Sequence, residues 1–435
     1  MKRDIYAKLS SWKNSKDRKP LILQGARQVG KTYILKEFGK REFEDFAYFN
    51  FEEEPRLAEF FKGSLHPDKI VETLSIFIGK KIIPEKTLIF FDEIQSVPNA
   101  LNSLKYFCED APLYHIVAAG SLLGVALESI KSFPVGKVNF LQLFPMTFFE
   151  FLDAIGKSSL RQYLEGITSI LPIENVFHDE CCELLKRYYF IGGMPGVVAR
   201  YIENSSWDEV RKIQKEILTS YILDFSKHAE KAETIRIMAI WDSMPRQLAQ
   251  ESKKFKYSLI KKSARARDYE EAVQWVYRAG LINLSRQVSA AKIPLKSYIG
   301  EGNFKAYLFD TGLLCAFVDL RPQIIIDGDK IFREFKGALA ENFVSQEIRA
   351  KDAQELYYWS EEQVAEIEFL LEGKLSIYPL EVKSGISRKK QSLLRYQTKF
   401  QPKLLLRTGL LNLKRDGDIL NCPLYLISRI ADFVD

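Results

Sequence analysis

The stretch Gly25-Ala26-Arg27-Gln28-Val29-Gly30-Lys31-Thr32 decides the fold. It follows the apolar run PLILQG (20–25) and opens a helix-like segment. This is the G-x-x-x-x-G-K-[ST] pattern in the setting that gives it meaning, a strand before and a helix after. Glycines let backbone N–H groups turn inward around phosphate oxygens, and the helix N-terminus adds a favourable dipole. Residues 25–32 are therefore the candidate nucleotide cradle. Lys31 is placed to reach the β- and γ-phosphates, and the Thr32 hydroxyl is a candidate Mg2+ ligand.

Further along, three more strand candidates appear: FAYFNF (46–51), LIFFDE (88–93) and YHIVAAGS (114–121). Helical stretches separate them. Strands alternating with helices predict a parallel sheet covered on both faces. In LIFFDE, four apolar residues cross the sheet centre and deliver Asp92 and Glu93 to its C-terminal edge, where open α/β sheets bind ligands. Asp92 is the second candidate Mg2+ ligand. Glu93 is the candidate general base toward an attacking water. Ser121, after the fourth strand, is either a γ-phosphate sensor or a plain loop-start serine. A glutamate beside the Mg2+ aspartate favours water as the acceptor, so ATP hydrolysis is the expected reaction. Lys137 and Arg161 are candidates for a cation acting on a neighbour's phosphate, and neither has a context that decides it.

Composition bounds the remainder. A chain of 435 residues holds two to four domains. With 46% hydrophobic and 28% charged residues, global disorder is excluded. Five cysteines without a C-x-x-C pair make neither a zinc cluster nor a disulfide framework, which predicts a reduced, cytoplasmic protein. Four scattered histidines argue against chemistry that needs them paired. No signal-peptide pattern and no 18-residue apolar run is present, so no membrane partner is expected.

The net charge of +6 is an average over unlike parts. Between Arg246 and Gly300 twelve basic residues face four acidic ones, a local +8 that leaves −2 for the rest. In this segment Leu248, Leu259 and Ile260 precede Ala272, Val273, Val276 and Tyr277, Gly280 stops the last helix, and LINLSRQV reads as a strand. Helix, helix, strand is the order of a winged helix-turn-helix. Lys253, Lys254, Lys256, Lys261 and Lys262 are its candidate DNA-phosphate contacts. The alternative is a protein–protein module with a solvated basic face.

Toward the C-terminus, Glu341 lies on a predicted helix (336–352), Glu368 in AEIEFLLE, and Glu381 and Lys383 in YPLEVKSG. Helix acid, hairpin acid, then E-x-K on the next strand is the order of a PD-(D/E)xK nuclease core. Glu381 and Lys383 are two apart and share a strand face. A carboxylate pair there would hold Mg2+, with Lys383 acting on the attacking water. The alternative is an ordinary surface strand pattern.

GARQVGKT, FFDEIQ, AAGSLLG, PVGKVNFLQLFPMTFFEFL, FIGGMPGVV, FDTGLL, GALAENFV and YPLEVKSG together resemble the bacterial and archaeal AAA-type ATPases whose C-terminal half is a DUF4143 domain. The likeness covers essentially the whole chain. It implies a P-loop ATPase binding ATP, a winged-helix segment and a nuclease-like end. Lys137 stands where that family usually has Arg. Glu368 stands where it typically has Asp, its extra methylene carrying the carboxylate about 1.5 Å outward. The expected α/β division is a P-loop NTPase domain over 1–150, a helical connector over 151–235, a winged helix over 236–300 and a nuclease-like domain over 301–435. The expected cofactors are ATP and Mg2+, and the candidate partners are DNA and a second copy of the chain. The competing expectation is a nucleotide-controlled switch whose C-terminal domain is an inert interaction module.

Overall fold

The computed structural model describes residues 1–121, 124–125, 134–250, 252–327, 333–361, 364–384 and 391–434. Leu122 and Leu123 of AAGSLLG and Gly385 of YPLEVKSG lie outside them. The chain divides into two compact units, 1–144 with 278–280, and 145–277 with 281–435.

In the first unit, α1 (Ile5–Lys13) precedes β1 (Leu21–Gln24), α2 (Lys31–Glu42), β2 (Asp45–Asn50), α3 (Pro67–Ile78), β3 (Thr87–Asp92), α4 (Pro98–Asp110), β4 (His115–Ala119) and β5 (Asn139–Gln142). The strands form one parallel sheet in the order β2-β3-β4-β1-β5. Every residue of β3 and β4 is buried. That suits continuous apolar runs in a sheet covered on both sides. Ile22, Phe49, Ile89, Phe91 and Ile116 pack with Leu74 of α3 and Leu104 of α4 into one core. The four strands expected from sequence are found within a residue or two, and β4 inserts between β1 and β3. The loop after β1 and the acid pair after β3 therefore flank the end of β4.

The second unit begins with helices α5 (Phe148–Ala154), α6 (Ser158–Glu165), α7 (Asn175–Ile191), α8 (Pro195–Asn204), α9 (Trp207–His228) and α10 (Lys231–Leu248). A capping box between Thr147 and Glu150 starts α5. After α10 come a 3-10 turn at Tyr257–Leu259, α11 (Ala266–Arg278), and the antiparallel hairpin β6 (Ile282–Val288) and β7 (Ile299–Leu308). Lys254 bridges to Lys305 of β7 as a one-residue strand stub. Of the residues expected to form the two helices before the strand, Leu248 ends α10 and Ala272, Val273, Val276 and Tyr277 lie on α11, while Leu259 and Ile260 sit at the short 3-10 turn between them. Next come α12 (Thr311–Phe317), α13 (Pro322–Asp327), α14 (Arg333–Asp352), β8 (Leu356–Glu361), β9 (Ala365–Glu372), β10 (Ile377–Val382), α15 (Gln391–Phe400), β11 (Leu405–Gly409), β12 (Lys414–Asp416) and β13 (Ile419–Pro423).

One mixed sheet, β12-β13-β11-β10-β9-β8-β6-β7, runs through this unit. The hairpin after α11 thus joins the C-terminal strands through parallel β6–β8 pairing. From α14 onward the order is helix, an antiparallel three-strand meander, helix, and a strand parallel to the last of the three. Leu393 and Tyr396 of α15 pack with Trp359 and Ile367 on the sheet.

A buried polar latch fastens the glycine turn after α7. Asp310 is fully buried; its Oδ2 accepts from the Gly193 N–H at 2.6 Å, and its Oδ1 accepts from Leu313 N at 2.8 Å, capping α12. Gly192 has φ of 77°, and a Cβ there would lie 2.3 Å from Asp310 Oδ1, so glycine is required. Burial pushes the Asp310 carboxyl up to about 6, against the opposing pull of its backbone donors. Gln346 and Asn342 of α14 extend the latch, accepting from Thr311 N at 2.9 Å and Leu308 N at 2.7 Å.

Candidate functional site

The loop after β1 is built by three positive φ angles, at Gly25, Gln28 and Gly30. Gly30 caps α2 in the left-handed region at φ 95°. A Cβ on Gly25 would lie 2.2 Å from the Leu143 carbonyl oxygen. Both glycines are therefore obligatory here. Lys31 opens α2 and is buried. Its Nζ donates to the carbonyls of Gly25 and Ala26, both at 2.8 Å. Burial lowers its pKa to about 8, with Glu93 and Asp92 pulling the other way. Ala26 and Val29 are buried and anchor the loop. Arg3 ties it from below, donating to the Val29 carbonyl at 2.9 Å.

Thr32 and Asp92, sixty residues apart, meet: the Thr32 hydroxyl donates to Asp92 Oδ2 at 2.9 Å. Tyr48 of β2 donates to the same oxygen at 2.9 Å. Burial raises the Asp92 carboxyl above its ordinary value, and these two hydroxyls oppose the shift. Glu93 has φ of 51°, which turns its side chain off the end of β3. Its Oε2 accepts from Gln95 Nε2 at 2.6 Å and from both the N–H and hydroxyl of Ser121 at 3.2 Å. The candidate residues Lys31, Thr32, Asp92, Glu93 and Ser121 thus stand at one edge of the sheet, with Ser121 bonded to Glu93. This donor set suits a magnesium nucleotide: a hydroxyl and a carboxylate converge on one point, beside a glycine loop and a buried ammonium. Sequence reasoning misses Tyr48 and Gln95. The signal for Tyr48 was slight, since an aromatic residue in FAYFNF reads as core.

The candidate acting cations are both engaged within their own unit. Arg161 is buried, paired with Asp153 at 2.9 Å and Glu165 at 2.8 Å, so it braces α6 and does not face outward. Lys137 pairs with Glu109 at 2.8 Å and keeps part of its surface exposed.

The basic segment divides. Lys256, Lys261 and Lys262 are exposed, on the approach to α11. Lys254 is half-buried at the strand stub. Lys253 departs from expectation. It is 8% exposed, with its Nζ donating to the Gln250 carbonyl at 2.7 Å, because the neighbouring stub holds it against the sheet, so its ammonium does not face a phosphate at the surface.

The C-terminal carboxylates meet in a cluster that is buried at Glu381 and half-buried at Glu341, Glu366 and Glu368. Glu381 on β10 is 2% exposed, and its Oε1 pairs with Lys383 Nζ at 2.9 Å. Its Oε2 is buried without a hydrogen-bond partner. Glu368 Oε2 accepts from Val382 N at 3.1 Å. Burial and the Glu341 charge hold the Glu368 carboxyl well above the ordinary range, more strongly than Lys305 and Lys383 hold it down. Two residues that the sequence reading does not single out reach in from β7. Lys305, fully buried, pairs with Glu366 at 2.5 Å and Glu341 at 3.8 Å. Tyr307 donates to Glu341 Oε2 at 2.9 Å. Burial works against the Lys305 charge, but Glu341, Glu366 and Glu368 overcome it and raise its pKa. A lysine two residues before a tyrosine, on one face of the run NFKAYLF, was the available signal.

Comparison with known proteins divides the chain into three. Residues 17–152 match an AAA domain family, 336–426 match the DUF4143 domain of unknown function, and the intervening 182–324 match a further domain of unknown function, DUF8612. The chain is similar to an uncharacterized protein of Methanocaldococcus jannaschii, 26% identical over 202 residues. That alignment spans 46% of this chain and 39% of the relative. Among solved structures, a Walker-type ATPase of Pyrococcus abyssi is 13% identical with a TM-score of 0.45, over 73% of this chain and 95% of that one. The Aeropyrum pernix ORC1 protein in complex with DNA is 12% identical with a TM-score of 0.28, over 73% and 90%. Thermotoga maritima RuvB is 15% identical with a TM-score of 0.31, over 69% and 91%. At these TM-scores the three structures carry no argument about this chain's activity. No described helix is long and apolar enough to cross a membrane.

Proposed function

We propose that this chain, an AAA-domain protein with a C-terminal DUF4143 domain, is a Mg2+-dependent ATPase that acts on or with DNA. One observation carries the ATPase reading: Thr32 and Asp92 share a hydrogen bond while Glu93, the next residue, is held at the same edge by Ser121 and Gln95. In this reading the 25–30 backbone and Lys31 bind the phosphates of ATP. Thr32 and Asp92 hold Mg2+, which supplies charge neutralisation at the phosphate oxygens. Glu93 uses Oε2 to stay fixed, which leaves Oε1 to accept a proton from the attacking water. Lys31→Ala is expected to abolish ATP binding, and Glu93→Gln to keep binding while stopping turnover. Normal hydrolysis by both variants would show the site to be elsewhere.

The DNA part of the proposal rests on α10, the strand stub, α11 and the β6–β7 hairpin, a winged-helix order, with Lys256, Lys261 and Lys262 exposed beside α11. DNA binding is then expected to fall steeply with salt as counterions are released. A flat salt dependence sinks it. The helix–meander–helix–strand order from α14 supports a nuclease-like C-terminal fold. A second reading, an ATP-controlled switch or homo-oligomer with an inert C-terminal module, is favoured by one feature, the lysine pairing inside the carboxylate cluster.

A further inference from the structure

A nuclease-like sheet implies a divalent metal among Glu341, Glu368 and Glu381. The side chains present do not fit one. A Mg2+ ion needs several free oxygen donors in near-octahedral array. Here one oxygen of each carboxylate is already engaged by a fixed protein donor, and for three of the four acids that donor or a close neighbour is an ammonium. Glu341 Oε2 receives Tyr307 and faces Lys305. Glu366 Oε1 receives Lys305, Glu368 Oε2 receives Val382 N, and Glu381 Oε1 receives Lys383. Glu381 Oε2 is buried and without a hydrogen-bond partner, on a carboxylate whose other oxygen already carries the Lys383 ammonium. Among the described residues no group of three His, Cys, Asp or Glu side chains is placed to hold a metal ion.

We propose that the Lys305 ammonium is the resident cation of this cluster, standing where a divalent metal would have to sit, so that the C-terminal sheet neither binds Mg2+ nor cleaves phosphodiesters. The geometry explains why Lys305 stays. It is fully enclosed, lies 5.0 Å from the centre of the Tyr358 ring, and sits on β7, whose pairing with β6 and bridge to Lys254 hold its backbone. Moving the ammonium aside would leave it buried and unpaired, which is strongly unfavourable. A second cation placed among the same oxygens would meet an immovable like charge. Lys383 performs the same office for Glu381 from a more exposed position. The inference rests on the nuclease-like reading only for the choice of metal. It does not depend on the ATPase assignment.

The test is Mn2+ uptake by the full chain without nucleotide, followed by the electron paramagnetic resonance signal of free Mn2+. Wild type, Lys305→Met, Glu381→Gln and Asp92→Asn are compared, with folding checked by circular dichroism. The wild type is expected to show no uptake that Glu381→Gln removes. Lys305→Met is expected to gain one site per chain, at least tenfold tighter than anything in the wild type. Uptake lost on Asp92→Asn alone belongs to the nucleotide site and agrees with the proposal. Wild-type uptake lost on Glu381→Gln, or a folded Lys305→Met chain that still takes up none, overturns it. Should Lys305→Met not fold, the wild-type and Glu381→Gln titrations decide the matter by themselves. A failed ATPase reading would show instead in the Lys31→Ala and Glu93→Gln assays and would leave this result unchanged.

Discussion

The two carboxylate sites of this chain treat their acids in opposite ways. Beside the glycine loop, Asp92 is held by two hydroxyls, from Thr32 and Tyr48, and the nearby ammonium of Lys31 is held by carbonyls. Positive and negative groups stand near each other without a direct ion pair. In the C-terminal sheet, the ammoniums of Lys305 and Lys383 bond directly to Glu366 and Glu381. Hydroxyl and carbonyl partners are neutral and exchange readily for a metal or a phosphate. An ammonium partner already supplies the charge that a metal would bring. What distinguishes a binding site from a charge-compensated core here is the identity of the partners more than the number of acids.

The sharpest way to break this contrast is to remove each buried lysine. Lys305→Ala leaves Glu366 and Glu341 without their cation and is expected to cost about 3–5 kcal/mol of stability, measured by denaturant unfolding. Lys31→Ala removes a group that burial disfavours, and unfolding is expected to shift by less than about 1 kcal/mol while ATP binding is lost. Equal destabilisation by both would erase the distinction. Glu93→Gln is expected to slow turnover about 10²–10⁴-fold with ATP affinity retained, as befits loss of a general base.

A smaller effect follows from the lowered Lys31 pKa. The free site holds a neutral amine above about pH 8, and phosphate binding must first restore its proton. ATP affinity should therefore weaken about tenfold per pH unit above 8, read by calorimetry. A profile flat to pH 10 contradicts this.

The smallest effect concerns Asp310. Its folded pKa is raised from 3.8 to about 6. For a carboxyl raised on folding, the unfolded chain ionises first as pH increases. The contribution to stability is full below about pH 4 and is lost as pH rises through 6. Between pH 5 and 7 the loss amounts to about 1 kcal/mol. Asp310→Asn should abolish that slope. It should also lower stability by about 1–2 kcal/mol, because Gly193 and Leu313 donate to different oxygens and the NH2 that replaces one of them cannot accept.

Much of the first unit was legible in the chain. Apolar runs ending in glycine or acid gave four strands because a parallel sheet buries both faces, and G-x-x-x-x-G-K-T names its own geometry. The second unit was less so. β6 read as the end of a basic segment and β7 was not singled out, yet their pairing carries both into the same sheet as β8–β13. Lys253 counted as one more surface lysine, and only the bridge between Lys254 and Lys305 shows why it is buried. Tyr48 and Lys305 were hidden for a related reason. One looked like core and the other like surface, and each acquires its role from strands distant in sequence.

The sequence by itself determined the nucleotide cradle, since its glycines, lysine and threonine are local and their spacing sets the backbone. It also determined which acids would emerge at strand ends. Only the tertiary structure decided what those acids would face. Asp92 met hydroxyls from α2 and β2, whereas Glu341 and Glu366 met an ammonium from β7. The physical reason is that a strand's face is fixed by local alternation, while its neighbour across the sheet is fixed by long-range pairing that no short motif records.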